Sequence, residues 1–429
     1  MRIICLVAML ALKPVFGQQV ISLQECLDKA IAYELPASAD YTLIKRSEYS
    51  RSQHWSSLLP TVNFSSGFNS SFGRRLDPIT NSFATNNVNA QSMGLSINMP
   101  LFSGFNYFII RNRLDLEYRQ SNLQLQQKIN ERKVRIIQLY VEACKQAIRL
   151  NQVAKRMEVY QKIQDIQRLL LESERIAITD TLKSHNSILQ ERIAMKETNG
   201  ALMLATIELN YQMGLPLATR HTFLPGSIVE IKDIALLEEY FGVEQAATNL
   251  ELMEQQMKAE HSRVLPSLAL SGVVATGFSS NNKTDNGSVV TYGDQLGRNV
   301  YEGVGLMLNI PIFNRREWQR NKYLYSLSLE NLADQKEIAE LQVQKREAKL
   351  EQELLTKKAN QLLHQEIAAN LKMVFDKSFL LYQEGKLPYR ELEESFIEWQ
   401  ENILKTEIIQ LEYAEMQLFE KKDSSIISD

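Results

Sequence analysis

The sequence predicts a mainly α-helical, internally duplicated fold in which very long antiparallel helices carry a small β part. The first observation is a repeat: Leu59–Pro60 returns as Leu265–Pro266, and Asn98–Phe102 returns as Asn309–Phe313. The offsets are 206 residues (59 to 265) and 211 residues (98 to 309), so the two copies differ by a short insertion. The second observation is that residues which interrupt secondary structure are few. The 429 residues include 17 glycines and 10 prolines, which favours a few long elements over several compact domains.

Residues 1–17 have the pattern of a secretory signal peptide. Arg2 supplies a positive charge, Ile3–Leu12 is a short apolar run, and Gly17 places a small residue before Gln18. The apolar run is too short for a transmembrane helix, which needs about 20 residues. Removing the two basic residues of this segment from the total of 48 leaves 46 basic against 51 acidic residues. That balance gives no reason to expect a nucleic-acid partner.

Two cysteines, Cys26 and Cys144, remain after the signal segment, and both fall in helical patterns. Pairing between cysteines cannot be predicted from sequence alone, so a disulfide stays open. The favoured interpretation is two buried free thiols, because an unpaired cysteine behaves as a small apolar side chain.

The first structural repeat is assigned to residues 18–215. Ser22–Glu25 has the form of a capping box that opens a helix, and this helix is expected to run to about Ser57. Two strands follow, at about 61–73 and 90–100, in which apolar residues alternate with small polar ones. A polar loop separates the strands.

The second structural repeat is assigned to residues 236–422 and has the same plan, with strands at about 267–279 and 299–311. Residues 216–235 are interpreted as the linker between the repeats, and residues 423–429 as a short polar tail. One departure is Glu302, which falls on the apolar phase of its strand.

Very long helices are expected to follow each pair of strands. Neither proline nor glycine occurs from Phe105 to Glu174 or from Arg316 to Glu384. Helices of roughly 70 residues would reach about 105 Å. Heptad spacing predicts coiled-coil seams through Ile129, Ile136, Ala143, Leu150 and Met157, and through Leu341, Ala348, Leu355, Leu362 and Ala369. Each long helix is expected to turn and return, the first over Asp180–Met213 and the second from about Pro388 to Lys422.

The paired strands are typical of transmembrane β-strands, since about ten residues alternate between apolar and small polar side chains. The alternative is a soluble hairpin or sandwich that buries one face. Four strands cannot close a barrel, and an open sheet edge is not tolerated in hydrocarbon, so the membrane interpretation requires several chains. Aromatic residues cluster where strands give way to helices, as expected for an interfacial girdle: Trp55, Phe102, Phe105, Tyr107, Phe108, Phe313 and Trp318.

Over nearly its whole length after the signal segment, the sequence resembles the TolC-type outer-membrane efflux proteins of Gram-negative bacteria. The resemblance rests on Leu23–Cys26, on the strand starts Leu59–Pro60 and Leu265–Pro266, on the strand exit Pro100–Gly104, and on Tyr382–Gly385. It implies a homotrimer with a twelve-stranded barrel in the outer membrane and a helical tunnel in the periplasm. It also implies a passive channel of an efflux or type I secretion system, with a periplasmic adaptor and an inner-membrane transporter as partners.

The resemblance also implies functional residues at the two helical tips. Asp180 matches a position linked to inter-helix locking, and Tyr382 and Gly385 form the Tyr-x-x-Gly of the second tip. Glu391 and Glu394 match a pair of acidic gate positions, and three chains would arrange them as rings of carboxylates. The alternative is an ordinary solvated acidic helix face, because other glutamates lie nearby.

Two departures from the family pattern occur at the tips. The first tip has Leu171 and Glu174 in place of the Tyr-x-x-Gly tyrosine and glycine, so only Gly385 is expected to serve a close contact. Leu387 stands where some members carry a basic lock residue, which puts a salt bridge through that position in doubt.

No enzyme signature occurs in the sequence. It has no phosphate-binding loop, no His-Glu-x-x-His and no Gly-x-Ser-x-Gly, and its five histidines lack ligand spacing. We therefore expect no catalytic, cofactor-binding or metal site. The alternatives to a channel are a periplasmic adaptor of an efflux complex, which also uses coiled-coil hairpins, and a soluble coiled-coil scaffold.

Overall fold

The structure is a computed structural model that describes residues 19–33, 38–76, 81–84, 87–228, 238–314 and 316–420. The predicted signal segment and the predicted polar tail lie outside these residues. The chain divides into two compact units. The helical unit comprises residues 1–39, 124–242 and 339–429, and the sheet unit comprises residues 40–123 and 243–338. Each unit therefore takes segments from both predicted repeats.

The elements follow in chain order. The helices are α1 Leu23–Ala32, α2 Ser38–Gln53, α3 Asn106–Glu172, α4 Ile178–Met213, α5 Glu238–Ser262, α6 Tyr292–Arg298, α7 Glu317–Gln383 and α8 Tyr389–Glu420. The strands are β1 Gln19–Ile21, β2 Thr61–Ser71, β3 Arg75–Leu76, β4 Phe83–Ala84, β5 Val88–Ser103, β6 His221–Phe223, β7 Ser267–Ser279 and β8 Tyr301–Asn309. In the described part of the chain, no helix combines the length and apolar composition needed to cross a membrane.

The first helix is shorter than expected. Its capping box is present: the Glu25 amide donates to Ser22 Oγ, and the Ser22 amide donates to the Glu25 carboxylate. The expected continuation to Ser57 is wrong, because α1 ends at Ala32 and α2 begins at Ser38. Tyr33 ends α1 with an extended backbone, at φ −82° and ψ 94°.

The sheet unit is organised around one antiparallel sheet with the order β2–β5–β7–β8. Its register places Phe64, Leu95, Val274 and Glu302 in one row across the four strands. This row belongs to the face that carries the larger apolar side chains, many of them exposed on the single chain. The opposite face carries mostly small or polar residues such as Asn63 and Ser96. Glu302 thus lies on the apolar face, on strand β8 at the edge of the sheet.

The two connecting loops contain short elements that the alternation pattern did not predict. β3 and β4 pair as a small hairpin in the first loop. In the second loop, α6 is held against the end of β7, where Thr276 Oγ1 donates to the Leu296 carbonyl at 2.6 Å. Tyr292 Oη donates to Gln91 Oε1 at 2.8 Å. Thr276 and Gln91 are on the apolar face of the sheet, so α6 covers the loop end of that face.

The core of the helical unit includes a small parallel sheet that the sequence analysis missed. β1 pairs with β6, which lies inside the predicted linker. The hydroxyl of buried Tyr140 in α3 hydrogen bonds to the Ile21 carbonyl and to the backbone of Leu224, so it joins both strand ends to the long helix. Cys26 and Cys144 are buried free thiols in this core, and burial raises the pKa of each to about 12.

α3 and α7 contain 67 residues each. The predicted seam of α3 includes Ile136 and Ala143, and both are fully buried in the core of the helical unit. The predicted seam of α7 is different: Leu341, Ala348, Leu355, Leu362 and Ala369 are all exposed. α7 packs within the chain through a neighbouring stripe that contains Leu354, Phe375 and Tyr382. Both stripes repeat every seven residues, so periodicity alone could not tell which one packs internally.

Gly104 gives a test of the packing at the strand exit. It has φ +61°, and a Cβ there would lie 2.5 Å from the Ser262 carbonyl oxygen and 2.9 Å from Leu265 Cβ. Gly104→Ala should therefore destabilise the protein by about 2 kcal/mol through overpacking and backbone strain. Gly200→Ala is the control: no atom of the described residues lies within 4 Å of a Cβ placed there, and the change should be neutral or slightly stabilising. Equal thermal unfolding temperatures for both variants would contradict the packing argument.

Candidate functional site

The predicted girdle residues lie at the junctions between strands and helices in the sheet unit. Phe102 and Phe105 form an edge-to-face pair with ring centroids 5.1 Å apart. Trp55 and Phe313 are exposed, whereas Trp318 is half-buried against His261 at 4.8 Å. Exposed aromatic side chains beside an apolar sheet face are suited to a membrane interface. The role of this set remains a prediction.

The two helical tips in the helical unit have the same backbone turn. At the end of α3, the Arg175 amide donates to the Leu170 carbonyl and the Glu174 amide to the Leu171 carbonyl. At the end of α7, Lys386 donates to Leu381 and Gly385 donates to Tyr382 in the same pattern. This pair of bonds is a Schellman motif, which requires a left-handed residue after the helix. Gly385 supplies it at φ 72° and Glu174 at φ 55°, so the first tip adopts the turn without a glycine.

A buried aromatic cluster joins the tips. It contains Tyr160 of α3, Ile188 of α4, Phe375 and Tyr382 of α7, and Tyr389, Leu392 and Phe396 of α8. Tyr160 and Phe396 pack edge to face at 5.3 Å. Burial raises the pKa of the hydroxyls of Tyr160, Tyr382 and Tyr389, so all three stay neutral at physiological pH.

Polar contacts inside the cluster link α4 to α8. Ser187 Oγ of α4 donates to Glu393 Oε1 of α8 at 2.5 Å. Tyr389, also on α8, donates from its hydroxyl to the same carboxylate oxygen at 2.9 Å, and this hydroxyl lies 3.4 Å from Ser187 Oγ. We call Ser187, Tyr389 and Glu393 the tip link. Within the first tip, Ser184 Oγ donates to Gln167 Oε1 at 2.5 Å. These residues were missed by sequence analysis, since a serine or glutamine on a helix carries no signal until its neighbouring helix is known.

The predicted gate residues lie at the surface of the tips. Glu391 and Glu394 are both exposed, and Glu394 forms an ion pair with Arg390 at 2.8 Å. Asp180 is half-buried beside Lys183 at 3.4 Å, and the Gln167 side chain donates to its carbonyl at 3.4 Å. The Asp180 side chain is therefore bonded within its own tip.

The remaining tip residues serve packing. Tyr382 is almost fully buried in the aromatic cluster. Gly385 faces the first tip, where a Cβ would lie 3.5 Å from Arg175 Cδ. Leu387 packs against the cluster, so an apolar contact occupies the position of the basic lock residue.

Two ion pairs between helices lie farther from the turns. Arg156 of α3 and Glu191 of α4 approach to 3.0 Å in a mostly buried setting, and burial raises the pKa of Glu191 even though Arg156 opposes the shift. Glu412 of α8 contacts both Lys145 of α3 and Lys357 of α7. Burial raises the pKa of Glu412, but the hydrogen bonds from both lysines outweigh it, so the net shift is downward.

Solved structures share this arrangement of helices and strands. The outer membrane protein VceC from Vibrio cholerae aligns with a TM-score of 0.76 over 93% of this chain and 94% of its own, at 10% identity. This chain has the fold of the outer-membrane channels. The Campylobacter jejuni CmeC outer membrane channel gives a TM-score of 0.72 over 92% and 84% of the two chains, at 14% identity. The Neisseria gonorrhoeae MtrE outer membrane channel, in an open state, gives 0.68 over 93% and 88%, at 13% identity.

The sequence matches no protein-family model and no curated protein. The predicted fold class is confirmed by the structural matches, which cover nearly the whole chain. Identities of 10 to 14% establish the fold alone, so what the protein does must be argued from its own residues.

The two tip turns give a paired test. Gly385→Ala should lower the free energy of unfolding by about 1 kcal/mol, because a side chain at left-handed φ is strained. Glu174→Gly should raise it by a similar amount, because it removes that strain from the equivalent turn. Denaturant unfolding of both variants in detergent measures the shifts. Shifts of the same sign would show that the turn geometry does not decide the stability of the tips.

Proposed function

We propose that the chain is one subunit of a passive, trimeric exit duct that crosses the outer membrane and continues into the periplasm. The observation that carries the proposal is the four-stranded sheet with an exposed apolar face. Among the described residues, β2 and β8 each pair with one neighbour only, which leaves two open edges. Open edges are excluded from hydrocarbon, so β8 of one copy would pair with β2 of the next, and three copies would supply twelve strands.

The exposed stripe of α7 supports the same assembly. Leu341, Leu355 and Leu362 belong to a seven-residue repeat that is exposed in the described part of the chain. A sustained apolar heptad stripe needs a partner helix in water, and a second copy supplies one. The same three-fold arrangement of copies would thus cover the exposed stripe of α7 and pair the edges of the sheet.

The tips are proposed as the periplasmic entrance. In a trimer, Glu391 and Glu394 would form rings of carboxylates at the constriction and favour cations. Opening would require the tips to separate, which breaks contacts such as the tip link. A periplasmic adaptor and an inner-membrane transporter are the proposed partners, and the transporter supplies the energy. An adaptor-like function for this chain is disfavoured, because the fold carries two long hairpins and a sheet suited to lipid.

Conductance in planar bilayers tests the duct and its charged rings. Glu391→Gln should lower cation preference, because it removes three carboxylates from the constriction. Glu394→Gln should lower it further, because it also leaves Arg390 without its ion-pair partner. Glu398→Gln, an exposed change one turn along the same helix, is the control.

The outcomes separate the parts of the proposal. If cation preference is the same in all three variants, the acidic residues are an ordinary solvated surface and the rings do not exist. If the wild-type protein gives no conductance, or is released from cells with the periplasm without detergent, the channel itself is wrong and a soluble function is favoured.

The tip link gives a separate prediction about opening. Ser187→Ala removes the hydrogen bond that joins α4 to the Glu393 carboxylate of α8, and Tyr389→Phe removes the bond within α8 that holds this carboxylate beside Ser187; bonds of this class are worth about 1.5–3 kcal/mol. Each variant should raise the open fraction in bilayers by about tenfold if the link holds the tips closed. Ser395→Ala is the matched control, because in the part of the chain that the structure describes this buried hydroxyl bonds to the Leu392 carbonyl of its own helix and to no other helix. Equal open fractions in all variants would rule out the link as a latch.

A further inference from the structure

A polar cavity of about 510 Å³ lies in the sheet unit, where β2 and β5 give way to helices. Its walls come from the end of α2, from the short helical turn at His54–Leu58, and from the first turns of α3. The principal lining side chains are Glu48, Arg51, His54, Trp55, Tyr107 and Arg111. The volume is in the range of small-ligand sites.

The walls of this cavity are braced by contacts between α2 and α3. The His54 ring stacks on Tyr107 with centroids 4.7 Å apart and an interplanar angle of 13°, and His54 Nε2 lies 2.9 Å from the Tyr107 carbonyl oxygen. Arg51 Nε lies 2.8 Å from Asp115 Oδ1, and its guanidinium lies 5.1 Å from the Tyr118 ring centroid. Arg51 and Asp115 therefore form an ion pair between α2 and α3.

Two other charged residues that line the cavity, Glu48 and Arg111, take no part in these contacts between α2 and α3. In the part of the chain that the structure describes, neither Glu48 nor Arg111 forms an ion pair or a hydrogen bond through its side chain. They line the same cavity but do not pair with each other. The cavity thus presents one available cation and one available anion, beside the exposed indole of Trp55.

Aromatic residues continue from the apolar face of the sheet onto α3, which also lines the cavity. Phe102 pairs with Leu268 across the sheet, on the apolar face, and its ring packs on Phe105. On α3, Phe108 is exposed and Arg111 is three residues later, so both lie on one helix face that continues from this aromatic group. Arg111 therefore lies close to aromatic residues at the strand exit, and Trp55 of the same predicted girdle lines the cavity.

We infer that this cavity binds the headgroup of a zwitterionic phospholipid of the phosphatidylethanolamine type, an inference that rests on the proposed membrane position of the sheet. The Arg111 guanidinium fits the headgroup phosphate, since arginine binds phosphate oxygens through two parallel donors. The Glu48 carboxylate fits the terminal ammonium. Trp55 supplies the amphipathic ring that commonly sits at headgroup level, and the acyl chains would continue along the apolar face of the sheet.

Lipid retention by the purified full-length protein tests the inference. The detergent-solubilised protein is incubated with phosphatidylethanolamine or with phosphatidylglycerol of the same acyl chains, and bound lipid is counted by native mass spectrometry. The wild type should retain phosphatidylethanolamine preferentially. Arg111→Gln should lower retention of both lipids, by about tenfold for phosphatidylethanolamine. Glu48→Gln should abolish only the preference. Arg46→Gln, an exposed change on α2 outside the cavity, should behave as the wild type.

Three results would overturn the inference: equal retention of both lipids by the wild type, unchanged retention by Arg111→Gln, or full displacement of bound lipid by soluble glycerophosphoethanolamine. The last result would identify the ligand as a soluble phosphate compound. Planar-bilayer conductance of the same preparations separates the two proposals. A conducting protein without lipid preference disproves only the headgroup site, whereas a protein that never conducts disproves the duct.

Discussion

In the described part of the chain, the sheet ends on both sides in a strand with one neighbour only. A four-stranded sheet with one apolar face cannot enter hydrocarbon alone, because the edge strands β2 and β8 would carry unpaired backbone groups. In the proposed assembly, closure with other copies would satisfy those groups and would give the exposed leucine stripe of α7 a partner helix. Glu302 is the second residue of strand β8, so its carboxylate lies near the loop end of the apolar face. Sheet and helices thus call for the same assembly for different physical reasons.

At the tips, neutral buried side chains contribute more to the contacts between helices than the exposed acidic residues do. The side chains that join helices are mostly neutral and buried: the aromatic cluster, Gln167 with Ser184, and the hydroxyls of the tip link. The exposed pair of Glu394 and Arg390 contributes little to stability because water screens it. In the proposed channel, charge at the surface of the tips would therefore be free to act on passing ions, while buried hydrogen bonds hold the helices. This division lets the two properties be altered separately by substitution.

Local patterns predicted the parts of the fold that depend on local chemistry. Alternation located the four long strands, the lack of proline and glycine located α3 and α7, and the capping box located α1. Features that depend on distant neighbours were not accessible. β6 is too short to show alternation, and the packed stripe of α7 could not be distinguished from the exposed one. Of the site, the sequence located the tips and their carboxylates, but Ser187 and Tyr389 acquire meaning only when α4 and α8 are side by side.

The two repeats have the same backbone conformation at equivalent positions where their residues differ. Phe105 and Arg316, 211 residues apart, both have left-handed φ values, of 64° and 58°, where strands pass into the long helices. Glu174 and Gly385, also 211 residues apart, do the same where those helices end. Three of these four residues are not glycine, and each tolerates a strain of about 1 kcal/mol. Local preference would not select this conformation three times. The turns are therefore imposed by the packing of the elements they join, and the two halves share their geometry because each must supply the same two strands and the same helical hairpin.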